Sequence, residues 1–193
     1  MHIQALFPFF TAMLSIASVH GRECNDKHVI ESKPFTTPSG VVITMERFNC
    51  SNTVPAQRLP TSAIEGRYPL EANNKRQSSL CTTSNCICGV PCFFNSCFPV
   101  NMPIKAGDCP ALANSLINTP GTFTIPPGQA LAFILNSCQY AAFGDSTTQP
   151  TQYCFNDFGA AAFQVFHVCG STQQGSCIGT FNSGNFFVDQ LNP

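Results

Sequence analysis

The number of cysteines constrains this chain more than any other feature. The 193-residue sequence contains twelve of them. Disulfides form and persist in oxidising compartments, so the fate of these thiols depends on where the chain folds. Residues 1–21 predict export, because they hold an apolar run over 5–19 followed by a small residue, Gly21, as a secretory signal peptide does. The run is shorter than the roughly 20 residues that span a bilayer, and Pro8 interrupts it.

We therefore expect a secreted, extracellular protein with no stable membrane span, in which every cysteine forms a disulfide. The group around Cys86 and Cys88 could alternatively bind a metal through thiolates, but an exported chain without a nearby His favours disulfides. On a strand, Cys86 and Cys88 would point the same way, toward two different partners. The expected disulfide residues are Cys24, Cys50, Cys81, Cys86, Cys88, Cys92, Cys97, Cys109, Cys138, Cys154, Cys169 and Cys177.

The charged residues divide the chain near residue 77. Eight of the nine Lys and Arg residues precede this point, and only Lys105 follows it. Lys75 and Arg76 form a dibasic pair in a polar stretch, as at the sites that Kex-type processing proteases of the fungal secretory pathway cut. The pair could instead be two solvated surface charges. A cut after Arg76 would leave two cysteines upstream and ten downstream, an even number on each side.

These observations predict three segments: a signal peptide over 1–21, a pro-segment or linker over 22–76, and a disulfide-stabilised mature domain over 77–193. Within the middle segment Cys24 can pair with Cys50, and the run 41–44 is typical of a strand. Asn49 begins an Asn-Cys-Ser sequon, so we predict a glycan there. A small second domain that stays attached is the competing interpretation of 22–76.

The stretch 154–169 predicts a long helix. Phe155, Phe158, Ala162 and Val165 recur at steps of three and four residues, which places them on one apolar stripe. Asn156 or Asp157 can cap its start, and Gly170 suits its end. Its two cysteines would lie roughly 22 Å apart along the axis, too far for a disulfide with each other. Each must therefore be tied to a different neighbouring element.

The remaining elements complete an α+β fold. A first helix is predicted over Asp108–Ile117, with Asp108 as its N-cap. We predict a hairpin from Thr122–Ile125 and 131–135, a strand over 140–143, and a second hairpin from 177–181 and 185–188. The predicted architecture is a disulfide-rich two-layer sandwich, with two helices packed on an antiparallel sheet.

Little in the mature segment suggests catalysis. His167 is the only imidazole after residue 77, where Glu and Arg are absent, so general acid–base chemistry has few candidates. Gly-Asp-Ser at 144–146 resembles the opening of an esterase signature, but no Asp-x-x-His follows it. We interpret His167 as a favourable charge in the last turn of its helix. We expect no enzyme activity, no catalytic residues, no cofactor and no metal, and a single lysine argues against a nucleic-acid partner.

Cysteine placement and element order carry a resemblance. Cys86-x-Cys88, the helix that opens Gly107-Asp108-Cys109, the strand ending at Cys138, and the helix closing at Cys169 before Cys177 resemble the small virally encoded killer toxins of smut fungi. The resemblance covers about residues 81–177. It implies an α/β sandwich that is released at dibasic sites, a fold shared with many fungal effectors.

Two further resemblances are shorter. Residues 108–138 are similar to necrosis-inducing secreted effectors of plant-associated fungi, and residues 123–128 with Cys169 are similar to a fungal glycan-binding family. We predict a secreted, non-enzymatic effector or killer-toxin-like protein that acts on another cell or a host. Its expected partners are a cell-surface or wall component, with a glycan as one candidate, and the processing protease. The alternatives are a lectin-like secreted protein and a structural cell-surface protein.

Overall fold

The structure, a computed structural model, describes residues 24, 26–50, 78–99, 104–181 and 184–193. In these residues the chain forms two helices, nine strands and a short 3-10 turn at Ser78–Leu80. The helices are α1 (Asp108–Ile117) and α2 (Phe155–Cys169). The strands are β1 (Lys27–Thr36), β2 (Val42–Cys50), β3 (Phe93–Pro99), β4 (Thr122–Ile125), β5 (Ala130–Leu135), β6 (Cys138–Gly144), β7 (Thr151–Cys154), β8 (Gln173–Phe181) and β9 (Gly184–Leu191). The predicted disulfide-rich α+β class is confirmed.

Seven strands form one sheet in the order β1-β2-β5-β6-β9-β8-β3, and every neighbouring pair is antiparallel. Strands β4 and β7 form a separate antiparallel pair. The predicted β8–β9 hairpin is confirmed, with Cys177 opposite Val188. The predicted β4–β5 hairpin is wrong: both edges of β5 are occupied by β2 and β6, so β4 pairs with β7 instead.

Both helices lie where the sequence predicts them, but their first turns differ from the prediction. Asp108 is the first residue of α1, not its cap, and its carboxylate accepts hydrogen bonds from Ser137. Neither Asn156 nor Asp157 caps α2, whose capping position is Cys154 and which has no side-chain cap. Helix α2 ends before Gly170, as predicted, and the Gly170 N–H donates to the Phe166 carbonyl at 2.7 Å. Gly170 is the C-cap with φ 67° and ψ −156°, so it is not the left-handed C′ residue that the sequence predicts.

Two apolar clusters form because alternate residues of a strand face opposite sides of the sheet. The helix-side core joins the buried stripes of α1 and α2 to residues such as Leu131 and Phe133 of β5. The outer core lies on the other face of the sheet. It consists of Phe48, Ala130, Ala132, Ala141, Phe143, Ile178 and Phe187.

Residues 27–50, which precede the dibasic pair, form a hairpin in the same sheet as the cysteine-rich segment. Strand β2 contains most of the predicted run 41–44 and pairs directly with β5. The predicted signal peptide over 1–21, the dibasic pair Lys75-Arg76 and the rest of the connecting segment 51–77 lie outside the described residues. The cut after Arg76 and the removal of 22–76 therefore stay predictions.

Candidate functional site

Six disulfides pair all twelve cysteines. The pairs are Cys24–Cys50, Cys81–Cys86, Cys88–Cys154, Cys92–Cys177, Cys97–Cys169 and Cys109–Cys138. Cys86 and Cys88 have different partners, as expected, but they do not lie on a strand: Cys86 forms an isolated bridge and Cys88 lies in a turn. The two cysteines at the ends of α2 are tied to different segments, also as expected. Cys154 is bonded to Cys88 in the loop before β3, and Cys169 is bonded to Cys97 on β3 itself. Helix α2 is thus fixed at both ends.

Two groups of side chains near the start of α2 have the spacing of metal ligands. They are Cys81, Cys86 and Cys88, and Cys88, Cys154 and Asp157, and within each group the candidate ligand atoms lie within 4.8 Å of one another. Every sulfur in these groups is part of a disulfide. A metal would need thiolates, which these sulfurs supply only after reduction. The groups are therefore better explained as neighbouring disulfides.

Asp157 is a half-buried carboxylate in the first turn of α2. It accepts a hydrogen bond from the Gly89 backbone N–H at 2.6 Å. Burial raises the pKa of Asp157 above its usual value, and the Gly89 hydrogen bond opposes this shift. The pKa of Tyr153 is also raised, chiefly by burial and secondarily by the charge of Asp157. This contact ties the start of α2 to the loop that holds Cys88.

Asp108 fixes the start of α1 in a similar way. Its carboxylate accepts from the Ser137 hydroxyl at 2.6 Å, from the Ser137 N–H at 3.1 Å and from the Asn136 amide at 3.2 Å. The Ser137 hydrogen bonds hold the pKa of Asp108 below its usual value. Asn136 lies in the two-residue β5–β6 turn with a φ of 52°. The carboxylate therefore joins α1 to a tight turn and has a structural role.

The outer face of α2 is the best candidate for a contact surface. We define it as Ala160, Phe163, Gln164, His167 and Val168, which recur at helical spacing opposite the buried stripe. Phe163 and Val168 are exposed by 36% and 45%, and they flank Gln164 and His167. The face contains no acidic residue, Lys or Arg. Because both ends of α2 are disulfide-linked, this face is held rigidly.

The other residues singled out in the sequence are spread over the molecule. Asn49 is an exposed residue of β2, so a glycan there would not disturb either core. His167 lies exposed in the last turn of α2, at the position that the sequence predicts. Tyr140 and Tyr153 are buried to 0% and 1% exposure, so neither presents its ring to a sugar. The Ser146 hydroxyl accepts from the Gln149 N–H within its own loop.

Sequence reasoning placed the buried stripe of α2 and left its outer face out of the candidate sites. The helical period carried the necessary signal, because positions half a turn away from a buried stripe face solvent.

No helix among the described residues is long and apolar enough to cross a membrane. No protein-family model matches this chain, and neither a curated protein nor a solved structure matches it.

Proposed function

We propose that this is a secreted extracellular protein that acts without catalysis, as an effector or killer-toxin-like protein, on another cell or a host. The observation that carries the proposal is the set of six disulfides. Such a density of disulfides suits an oxidising compartment and a protein that must stay folded outside the cell. The fold that we propose is a two-layer sandwich, supported by the packing of both helices in the helix-side core.

The contact with the target would be made by the outer face of α2. Its exposed Phe163 and Val168 supply apolar area, while Gln164 and His167 supply hydrogen-bonding groups between them. Aromatic side chains dominate the energetics of many protein interfaces, and a surface fixed before binding loses little conformational entropy. Since the face lacks carboxylates, Lys and Arg, it would bind a component of a cell surface or wall mainly through apolar contacts and hydrogen bonds.

The class of function can be tested by applying the purified secreted protein to yeasts and to leaf tissue. Folded protein should inhibit growth or cause necrosis, and the same protein after reduction and alkylation should be inactive because its disulfides maintain the fold. Equal activity of the two preparations, or inactivity of the folded protein in every assay, would contradict the proposal. Specific retention on a glycan array would favour the lectin-like alternative. Film formation at an air–water interface would favour a structural surface protein.

The contact surface can be tested with matched surface variants. Phe163→Ser and Val168→Ser remove apolar area from the outer face of α2, while Val42→Ser changes a residue of β2 that is exposed by 59%. All three side chains are solvent-accessible, so thermal unfolding should change little. Cell binding should fall by about tenfold or more for Phe163→Ser, which corresponds to about 1.4 kcal/mol, and should stay unchanged for Val42→Ser. If Phe163→Ser and Val168→Ser bind cells as well as the control Val42→Ser, this face is excluded as the contact surface.

A further inference from the structure

Strand β2 is upstream of the dibasic pair, yet it provides one of the two neighbours of β5. Its residues pair with β5 from Thr44 opposite Ile134 to Phe48 opposite Ala130. An unpaired strand edge presents a row of unsatisfied N–H and C=O groups. Removal of the hairpin would therefore expose the edge of β5, an apolar strand in the middle of the sheet.

The hairpin also contributes side chains to both apolar clusters. In the outer core, Phe48 is 0% exposed and its ring lies 5.8 Å from that of Phe143 in an edge-to-face arrangement. In the helix-side core, Ile43 is 1% exposed, and Phe35 stacks on Phe155 of α2 with the ring centroids 5.3 Å apart. Loss of the hairpin would leave cavities on both faces of the sheet.

Polar contacts also hold the hairpin against the rest of the sheet. Lys27 of β1 donates a hydrogen bond to the side-chain carbonyl of Gln139 on β6 at 3.2 Å. The same ammonium group lies 2.7 Å from a Glu46 carboxylate oxygen and 5.1 Å from the centroid of the Phe48 ring. Lys27 therefore bridges the hairpin and a strand beyond β5.

No disulfide joins the hairpin to the rest of the protein. All twelve cysteines lie in described residues, so the disulfide pattern is complete. Cys24 pairs with Cys50, and the other five disulfides lie between Cys81 and Cys177. A cut anywhere within 51–77 would thus produce two chains without a disulfide between them.

We propose that the segment containing 24–50 stays bound as two strands of the sheet after any cut within 51–77, such as the cut that the sequence predicts at Lys75-Arg76, so that the cut protein is a two-chain molecule. The binding surface is the β5 edge together with the adjoining parts of both apolar clusters. Its partner is this chain's own N-terminal segment, which completes the mature protein and is not discarded. The proposal does not depend on the proposed effector role, because it concerns only which segments remain together.

The test starts from the purified full-length protein, which is cut with a dibasic-specific protease and examined by native mass spectrometry. A second form guarantees the cut: it carries Lys75→Gln, Arg76→Gln and a site for a sequence-specific protease inserted after Asn73. The native spectrum should show one species that contains both chains, and a denaturing gel without reductant should separate them. Release of the N-terminal chain in native buffer would overturn the proposal. Chains that remain linked on the unreduced gel would also overturn it.

Matched variants of β2 show whether the buried contacts hold the two chains together. In the cut protein, Phe48→Ala should raise the dissociation constant by about a hundredfold or more, because it removes a ring that is buried in the outer core. Val42→Ala, at an exposed position of the same strand, should change it by less than about threefold. Circular dichroism of the uncut variants checks that each one folds. If uncut Phe48→Ala does not fold, Phe35→Ala at the half-buried stack on Phe155 takes its place. Equal retention of the hairpin by the buried-site variant and Val42→Ala would contradict the proposal.

Discussion

Gly159 lies at a close approach of the two helices. A Cβ at this position would lie 2.5 Å from the Ile117 backbone nitrogen and 2.8 Å from the Ala113 carbonyl oxygen. Backbone atoms cannot turn aside as a flexible side chain can, so α2 would have to move away from α1. Gly159→Ala should therefore lower the free energy of unfolding by about 1–3 kcal/mol, as measured by urea denaturation.

Gly107 supplies the control for this prediction. It precedes α1 with a φ of −87°, and a Cβ there would meet nothing within 4 Å. Gly107→Ala should change the free energy of unfolding by no more than about 0.5 kcal/mol. If Gly159→Ala were equally neutral, the close packing of the two helices would be refuted.

Two carboxylates should give opposite pH dependences. Burial raises the pKa of Asp157, so the folded state retains its proton to higher pH than the unfolded state does, and this residue lowers stability as pH rises. Asp157→Asn removes the titrating group. Its stability relative to the native protein should therefore improve as pH rises from about 3, through the ordinary aspartate value near 4, toward neutrality. Urea unfolding over a pH series measures the change.

Asp108 provides the contrast because hydrogen bonds from Ser137 lower the pKa of its carboxyl. Its stabilising effect is present above the pKa of the unfolded state and is lost as pH falls through the pKa of the folded state. Asp108→Asn should consequently become less stable relative to the native protein as pH rises. Curves that move in the same direction for both variants would show that the assignments of burial and hydrogen bonding are wrong.

At the scale of elements, the sequence predicted the helices and strands that have a strong apolar period. Helix α2 has such a stripe, and its cysteines could be assigned to different partners from length alone. Strand β1 was missed because it is an edge strand with mostly exposed side chains, including charged Lys27 and Lys33, and it carries little alternation. Strand β7 was missed because its four residues are all buried and follow a polar loop.

The β4–β5 error has a physical cause. The Pro126-Pro127-Gly128 sequence does reverse the chain, but a turn signal does not determine which strands pair after it. Strand β5 is apolar because it lies inside the sheet and exposes neither edge. The better signal was the two-residue link Asn136-Ser137 between β5 and β6, since Asn tolerates the positive φ that tight hairpins need.

The disulfide at the end of α2 should matter more than one that closes a short loop. Cys97–Cys169 joins residues 72 apart in sequence, whereas Cys81–Cys86 joins residues 5 apart. In the loop-entropy model, removal of the first costs about 4 kcal/mol and removal of the second about 2 kcal/mol. Urea denaturation of the paired alanine variants Cys97→Ala/Cys169→Ala and Cys81→Ala/Cys86→Ala tests this order. The reverse order would show that native-state packing around the disulfide outweighs loop closure.

For the whole molecule, the change in charge near residue 77 does not mark a boundary in packing. Lys and Arg residues are concentrated before residue 77, which led to the prediction of a separate upstream segment. The sheet nevertheless continues across that boundary, because β2 pairs with β5. Charge composition reports how a segment meets solvent, and it carries no information about strand pairing. The even cysteine count on each side was the more reliable signal, since no disulfide crosses the boundary.

All twelve cysteines of the protein are paired, and the upstream disulfide is separate from the other five. Peptide mass mapping of the unreduced secreted protein tests this pairing most directly. The intact mass should be lower than that of the fully reduced protein by two hydrogens for each of six disulfides. The peptide map should show Cys24 linked to Cys50. The other five pairs should all lie between Cys81 and Cys177. Alkylation of any cysteine without prior reduction, or a disulfide that joins Cys24 or Cys50 to a downstream cysteine, would contradict the account.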